Sequence, residues 1–297
     1  MSNKMKISTS YKVFTTINYI VLGMISLVAL YPLLYVAFAS FSDGSELMKQ
    51  SGLLLKPVGN FNLEAYKAVF KNGNIFRGYK NTILLLVFGI PYQVVMTSLA
   101  AYVLSRKNVL WKNVIMFFII FTMFFQGGMI PFYLVIKNLH LRDSLLALIL
   151  PFSINVYNMI IMRTSFAAIP DSLEESAKLD GASHWTILFR IVIPLSKPVI
   201  AVMFLYYGVA TWNGWFWPSL FLSDRAKFPL QIILREILLS SDPGAAGISS
   251  SNAVDAVGIA ETVKYATIVV STLPILFVYP FIQKYFAKGV MIGAVKG

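Results

Sequence analysis

The 297-residue chain contains no cysteine, so neither a disulfide framework nor thiol chemistry is open to it. Charge is scarce as well: Asp, Glu, Lys and Arg together make 13% of residues, against about 25% in a soluble globular domain. With 57% hydrophobic residues and a mean hydropathy of +0.70, the chain reads as one solvated mainly by lipid. Acids are rarer than bases, and the formal net charge is +12. In a membrane protein that excess speaks to topology and anionic headgroups before it speaks to nucleic acid. No GxxxxGK[ST] phosphate loop occurs, which excludes nucleotide binding by that route. The two histidines, His140 and His184, fall on opposite faces of the topology derived below, so no metal site is read from them. No repeat or low-complexity array stands out.

What is present is a set of long uncharged runs. Six intervals lack any Asp, Glu, Lys or Arg for the roughly 20 residues that cross a hydrocarbon core: 13–42, 81–105, 113–136, 144–162, 198–223 and 265–283. A charge at mid-bilayer costs about 2.5–3.5 kcal/mol, which explains why charges collect between these windows. The first run is about twice as long as the apolar region of a signal peptide, and it is read as a retained first span. Six spans put both termini on one side. The N-terminal tail, the Arg106–Lys107–Lys112 turn and the C-terminal Lys284, Lys288 and Lys296 carry bases without acids, whereas the alternate connections mix both signs. Short, purely basic segments belong in the cytoplasm. The expectation is a multi-pass cell-membrane protein with cytoplasmic tails over residues 1–12 and 287–297, and a transmembrane domain over 13–286.

Several spans carry helix breakers. Gln126-Gly127-Gly128 and Pro131 interrupt the third, and Gly89 and Pro91 the second. Gly208 and Gly214 mark the fifth, and Pro274 the sixth. Residues 240–252 (SSDPGAAGISSSN) favour turns, and residues 228–239 before them have helical periodicity.

One sizeable polar insert, residues 169–198, lies between the fourth and fifth runs, on the cytoplasmic side by the charge argument. Asp171 or Ser172 is placed to cap a helix, with Glu174 and Glu175 at capping-box spacing from each. Leu173, Ala177 and Leu179 give the helix a partly apolar face, and Gly181 follows as a C′ stop. A second helical pattern (Trp185, Leu188, Phe189, Val192) runs to Pro194. The residues predict helix, glycine turn, helix. A DNA-binding helix–turn–helix is excluded by the flanking spans, and no nucleic-acid partner is expected.

Glu175-Ser176-Ala177, three residues, Gly181, nine residues, then Ile191-Val192-Ile193-Pro194 resembles the EAA loop of ATP-binding-cassette importer permeases, whose pattern is E-A-A, three residues, G, nine residues, I-x-L-P. Ser176 stands for the first alanine and Ile193 for leucine. Asp180 and the Gly181-Ala182-Ser183 run strengthen the likeness to the sugar-uptake branch. The resemblance implies an all-α membrane protein with six transmembrane helices of the type I importer permease fold and a cytoplasmic coupling helix. It implies that Glu174, Glu175, Ser176, Ala177, Asp180, Gly181 and Ala182 dock on an ATPase, with Glu175 as the motif glutamate. It implies a second, homologous permease, two ATPase subunits that carry ATP and Mg, and an extracytoplasmic solute-binding protein. This chain itself is then a non-enzymatic subunit with no cofactor or metal. The connection over residues 224–264 resembles in position the loop that helps expel sugar from the binding protein.

The substrate path is read from residue chemistry. Trp212, Asn213, Trp215 and Trp217, at the outer end of the fifth run, suit sugar stacking and hydroxyl bonding, and equally an interfacial aromatic belt. Gln126, Asn155, Tyr157 and Asn158 are polar groups at lipid depth that face a wet cavity or staple neighbouring helices. The function expected is binding-protein-dependent import of a sugar, an oligosaccharide by the style of the tail. The alternatives are an amino-acid or peptide permease of the same class, an ion-coupled secondary transporter, and a membrane receptor or scaffold. A secondary transporter would need ionisable groups at membrane depth, and here every charge lies outside the six runs.

Overall fold

The computed structural model describes residues 8–239 and 253–294, and every regular element among them is helical. In chain order these are α1 (Thr9–Ser40), α2 (Gly44–Lys49), α3 (Glu64–Lys71), α4 (Gly73–Leu84), α5 (Ile90–Ser105), α6 (Lys112–Phe124), α7 (Met129–Asn138) and α8 (Val156–Ala167). The polar insert forms α9 (Asp171–Leu179), α10 (His184–Ile187) and α11 (Ile193–Leu195). Then follow α12 (Lys197–Asn213), α13 (Phe216–Phe221), α14 (Leu230–Leu239) and α15 (Ala253–Ala294).

Three helical stretches are long and apolar enough to cross a membrane unbroken: Thr9–Ser40, Gly73–Ser105 and Val257–Phe277. Three further pairs qualify only together, because each is bent: α6 with α7 by 112°, Leu145–Phe152 with α8 by 47°, and His184–Leu195 with α12 by 85°. The count reaches six if each bent pair is one span. The third run, expected as a single span, is two helices. The breakers at its centre end α6 at Phe124, and Gly128 turns the chain with φ +85°, a conformation that glycine adopts without a Cβ penalty. The fifth run likewise stops being one helix at Asn213, and α13 resumes at Phe216.

Prolines explain a second irregularity. Leu85–Gly89 joins α4 to α5 as a π-turn just before Pro91, and Leu188–Val192 joins α10 to α11 as a π-turn just before Pro194. A proline lacks the N–H for the i→i−4 bond and crowds that carbonyl. One extra residue in the turn relieves both faults without breaking the helix.

The chain divides into two compact units. In the first (Met1–Asn72 with Ile237–Thr272), most of α1 is exposed, and only Ala39 and Ser40 at its end are buried. Asp43 caps α2, accepting from the Ser45 and Glu46 amides. Ala39, Leu47 and Leu54 pack with Tyr35, Phe38, Val58 and Tyr265, whose ring meets Tyr35 edge-on at 5.9 Å. Gly44 lies so near Gly258 that a Cβ there would sit 2.0 Å from the Gly258 carbonyl oxygen.

The second unit (Gly73–Glu236 with Leu273–Gly297) is centred on α5, α8 and α12. Val94, Ala101, Met159, Met162, Phe166, Ile187, Leu188, Val192 and Met203 form its core. Tyr207 pairs polar groups across helices inside it: the Thr97 and Tyr207 hydroxyls are 2.6 Å apart, and the Asn155 backbone N–H donates to Tyr207 at 2.9 Å. The helix expected over residues 228–239 is α14. The turn-rich residues 240–252 lie outside the described residues. The connection expected over 224–264 ends in helix, since α15 begins at Ala253, and the tail expected from 287 is helical up to Ala294.

Candidate functional site

The polar insert folds as helix, turn, helix, by devices that its residues dictate only in part. Its first helix is not side-chain capped: Pro170 occupies the N-cap, and neither Asp171 nor Ser172 fills that position. The capping box expected at Glu174 and Glu175 is therefore absent, because both carboxylates are spoken for otherwise or exposed. Asp171, in the first turn, takes the Lys107 ammonium at 2.5 Å. Glu174 is buried, and holds the Arg106 guanidinium on one oxygen and Lys178 Nζ at 3.0 Å on the other. Burial alone would raise the Glu174 pKa, but the hydrogen bonds from Lys178 and Arg106 outweigh it and leave it below the ordinary value. Asp171 is lowered by Lys107, and Lys107 is raised by Asp171.

The C-terminus of α9 is a full Schellman turn. Gly181 N–H donates to the Lys178 carbonyl at 3.0 Å and Ala182 N–H to the Ala177 carbonyl at 2.9 Å, with Gly181 at φ +77°. Space around a Gly181 Cβ is open, so the constraint there is conformational, not steric. Ser183 caps α10, accepting from the Thr186 amide at 3.2 Å. The helical pattern expected to run on to Pro194 does so through the π-turn.

Three contacts fasten this insert to the end of α5. Arg106 donates to Glu174 and, at 2.9 Å, to the Phe166 carbonyl at the end of α8, while its guanidinium lies 5.0 Å from the Tyr102 ring centre. The Tyr102 hydroxyl and His184 Nδ1 are 3.2 Å apart. Lys107 holds Asp171. A cleft of about 740 Å³ remains between the 102–109 segment and α9–α10, with Glu175, Lys178 and Trp185 on its rim. On the exposed surface, Leu179 is 90% accessible, and the Trp185 and Phe189 rings stack at 6.1 Å. Glu175, Ser176, Asp180 and Gly181 are exposed, Ala177 and Ala182 are half-buried against the core, and Glu174 is buried.

The residues read as a substrate path are not brought to one place. Asn155 caps α8 through the Asn158 amide, and Asn158 is itself buried. Trp212 is buried, edge-on to Tyr79 at 6.2 Å. Trp217 packs against Phe132, Phe152 and Phe221. Gln126, Tyr157, Asn213 and Trp215 keep exposed area, and Arg235 lies 4.0 Å over the Trp215 ring.

Two anchors escaped the sequence reading. Asp143, in the left-handed region at φ +58°, accepts from the Ser223 and Asp224 amides at 3.0 Å each and from Lys227 Nζ at 2.8 Å. Lys227 first, and then those amides, hold its pKa well below the carboxylate range. Asn81 Nδ2 donates to the Ala226 and Phe228 carbonyls at 2.8 and 3.1 Å, and Thr82 Oγ1 accepts from the Leu230 amide at 3.0 Å. The only sequence signal was an acid within a short connection and two polar residues at the head of an uncharged run. Neither names a partner some 80 to 150 residues away.

Known proteins share this layout. Residues 93–292 match the family described as binding-protein-dependent transport system inner membrane component. The chain is 43% identical to protein LplC of Bacillus subtilis (strain 168), covering 96% of each chain. It is 42% identical to the polygalacturonan/rhamnogalacturonan transport system permease protein YtcP of the same organism, over 96% of this chain and 99% of that one. Among solved structures it is similar, at a TM-score of 0.85 and 35% identity, to a chain in the crystal structure of a bacterial ABC transporter involved in the import of the acidic polysaccharide alginate. That match covers 95% of this chain and 100% of the other.

Proposed function

The chain belongs to the family of binding-protein-dependent transport system inner membrane components, and we propose that it is the membrane-spanning permease subunit of an importer for oligosaccharides. It is a multi-pass membrane protein of a binding-protein-dependent system. Of the proteins that match it over nearly their whole length, one is named as a polygalacturonan/rhamnogalacturonan transport system permease and one belongs to a transporter involved in import of the acidic polysaccharide alginate, which supports a sugar substrate over an amino acid or peptide. The observation that carries the mechanism is the glycine-hinged insert, exposed on one side and bolted to α5 and α8 on the other by Arg106 and Glu174.

In this reading the insert is a coupling helix on the cytoplasmic side, with both termini on that side. Two ATPase subunits hold ATP and Mg, and one of them grips the exposed surface of this insert through Glu175, Ser176, Ala177, Asp180, Gly181 and Ala182. Closure of the ATPase pair moves the insert as a lever. Because Arg106 ties α9 to the ends of α5 and α8, the push reaches the spans instead of bending the loop. The breaks at residues 125–128 and 213–216 give the spans freedom to tilt between inward- and outward-open arrangements. A second permease completes the pathway, and a solute-binding protein delivers sugar from outside. The residues with exposed area, Gln126, Asn155, Tyr157, Asn213 and Trp215, are proposed to line that path. Asn158, Trp212 and Trp217 hold its walls.

One observation favours an acidic sugar within that class. Arg235, stacked on Trp215, makes no ion pair among the described residues, so its guanidinium is available to a uronate carboxylate beside an aromatic face. The test is binding-protein-dependent uptake of labelled neutral and uronate oligosaccharides by the intact transporter. ATP-dependent uptake of either supports the importer, and preference for the uronate supports the acidic class. Uptake that collapses with a protonophore at constant ATP would sink the importer reading.

A further inference from the structure

The short connection between α5 and α6 holds more cation than its surroundings neutralise. Arg106, Lys107, Lys112 and Arg163 converge there. Arg106 is paired with Glu174 and Lys107 with Asp171, but neither Lys112 nor Arg163 meets a carboxylate among the described residues. Each is half-buried, and each donates to a single backbone carbonyl: Lys112 Nζ to that of Arg106 at 2.9 Å, and Arg163 Nε to that of Leu104 at 2.9 Å. Those carbonyls at the end of α5 carry only partial negative charge. Partial burial, then Arg163, Arg106 and Lys107 in turn, push the Lys112 pKa below its ordinary value. An ammonium so placed lacks a counter-ion, and an anion beside it would relieve both the desolvation and the mutual repulsion.

The shape beside it suits a headgroup. A cleft of about 380 Å³ is lined by Lys107, Trp111, Lys112 and Asn113, which offer the unpaired Lys112 ammonium, an indole N–H and an amide beside the Lys107 that Asp171 holds. Trp111, 68% exposed, is part of its lining, and Leu110, 80% exposed, precedes it in the turn. Trp111 is held at φ +60° as the N-cap of α6, so the turn presents a large apolar pair next to two cations. An apolar pair for the acyl boundary, with cations one residue away, is the composition that settles at a membrane surface. The turn joins two apolar helices, so it lies at headgroup depth whichever way the protein is oriented.

We propose that this cleft binds the phosphodiester of an anionic phospholipid, with Lys112 as its ligand and Arg163 as the second counter-charge. A free phosphate would share the chemistry at the cations but would leave Leu110 and Trp111 uncovered, which is why a lipid is the occupant. The site depends on the membrane location of the turn and not on what the transporter carries. On the orientation given above it draws on the cytoplasmic leaflet, where anionic lipid is concentrated.

The experiment uses the intact purified transporter in detergent, titrated with phosphatidylglycerol, with phosphatidylcholine of the same chains, and with inorganic phosphate, and read by native mass spectrometry and thermal midpoint. Wild-type protein should retain phosphatidylglycerol over phosphatidylcholine and be stabilised by it. Lys112→Gln should reduce that preference roughly fivefold, and Lys112→Gln with Arg163→Gln further, about the effect of one and two basic residues at a charged surface. Lys112→Arg should retain most of it, which separates loss of charge from misfolding. Equal binding of the two lipids by wild-type protein would overturn the proposal without touching the transport reading. So would competition by inorganic phosphate at the lipid's own concentration.

Discussion

Arg106 and Glu174 stand 68 residues apart in the chain, yet form an ion pair in which the side chains are only 12% and 11% exposed. The same guanidinium reaches the Phe166 carbonyl, so one side chain joins the ends of α5 and α8 to the insert between α8 and α12. A planar fork suits this task, because its N–H groups serve two acceptors in fixed directions.

Arg106→Gln should uncouple the transporter without preventing its insertion. Breaking a buried pair costs about 3 kcal/mol, and Lys178, 3.0 Å from Glu174, keeps the loss towards that lower end. Uptake by membrane vesicles is expected to fall at least tenfold while the ATPase still co-purifies. Arg106→Lys should lie between, since it keeps the charge and loses the fork. Wild-type uptake in Arg106→Gln would show that the joint transmits nothing.

Substitutions of Gly181 should rank by backbone preference and not by size. The position is left-handed with open space around it, so Asn should be tolerated, Ala should cost about 1 kcal/mol, and a β-branched Val more. Uptake rates in Gly181→Asn, Gly181→Ala and Gly181→Val are expected to fall in that order. Gly181→Asp adds a negative charge beside Asp180 to the exposed surface proposed to dock on the ATPase, and should transport less than Gly181→Asn despite its similar shape.

The insert should detach from α5 in acid. The Glu174 carboxyl is lower in the folded protein than when free, so its contribution is complete above the ordinary carboxylate pKa of about 4.3 and is lost as pH falls through the lower folded value. Asp171 shifts in the same direction. A spin label at Ser183 should therefore keep constant mobility between about pH 8 and 5 and loosen below about pH 4. Glu174→Gln should remove most of the acid step. A transition centred near neutral pH would contradict the assignment.

Two glycines in the first unit should respond oppositely to one methyl group. At Gly44 the added carbon would overlap the Gly258 backbone, which cannot rotate away, whereas at Gly23 nothing lies within 4 Å. Gly44→Ala is expected to lower stability by about 3 kcal/mol or more and to reduce the amount of folded protein. Gly23→Ala should be neutral or slightly stabilising, as in any exposed helix interior. Thermal midpoints of the two purified variants decide the point.

Asp143→Asn isolates a charge from a backbone effect, because Asn also tolerates φ near +58°. The loss of the Lys227 ion pair and of the charge-assisted bonds from Ser223 and Asp224 should loosen the segment before α14. Hydrogen exchange is expected to quicken at those two amides, with protection in α5 and α8 unchanged.

The sequence by itself determined the membrane class, the position of the polar insert and its glycine turn. These rest on local causes: charge cannot sit in hydrocarbon, and a left-handed turn after a helix selects glycine. It also marked where helices would fail, at residues 126–128 and around residue 214, though not that the first failure turns the chain through 112°. Tertiary structure alone decided which of two adjacent glutamates faces inward. Glu174 and Glu175 differ by one step of about 100° around a helix, and only the approach of Arg106 from a distant turn buries one and leaves the other exposed. The same holds for the tryptophans. Four aromatic and amide residues within six positions look alike as a string, but the break between α12 and α13 sends Trp212 and Trp217 into separate packing clusters and leaves Trp215 exposed beneath Arg235. Long-range pairing of this kind is set by how helices pack, and no local pattern encodes it.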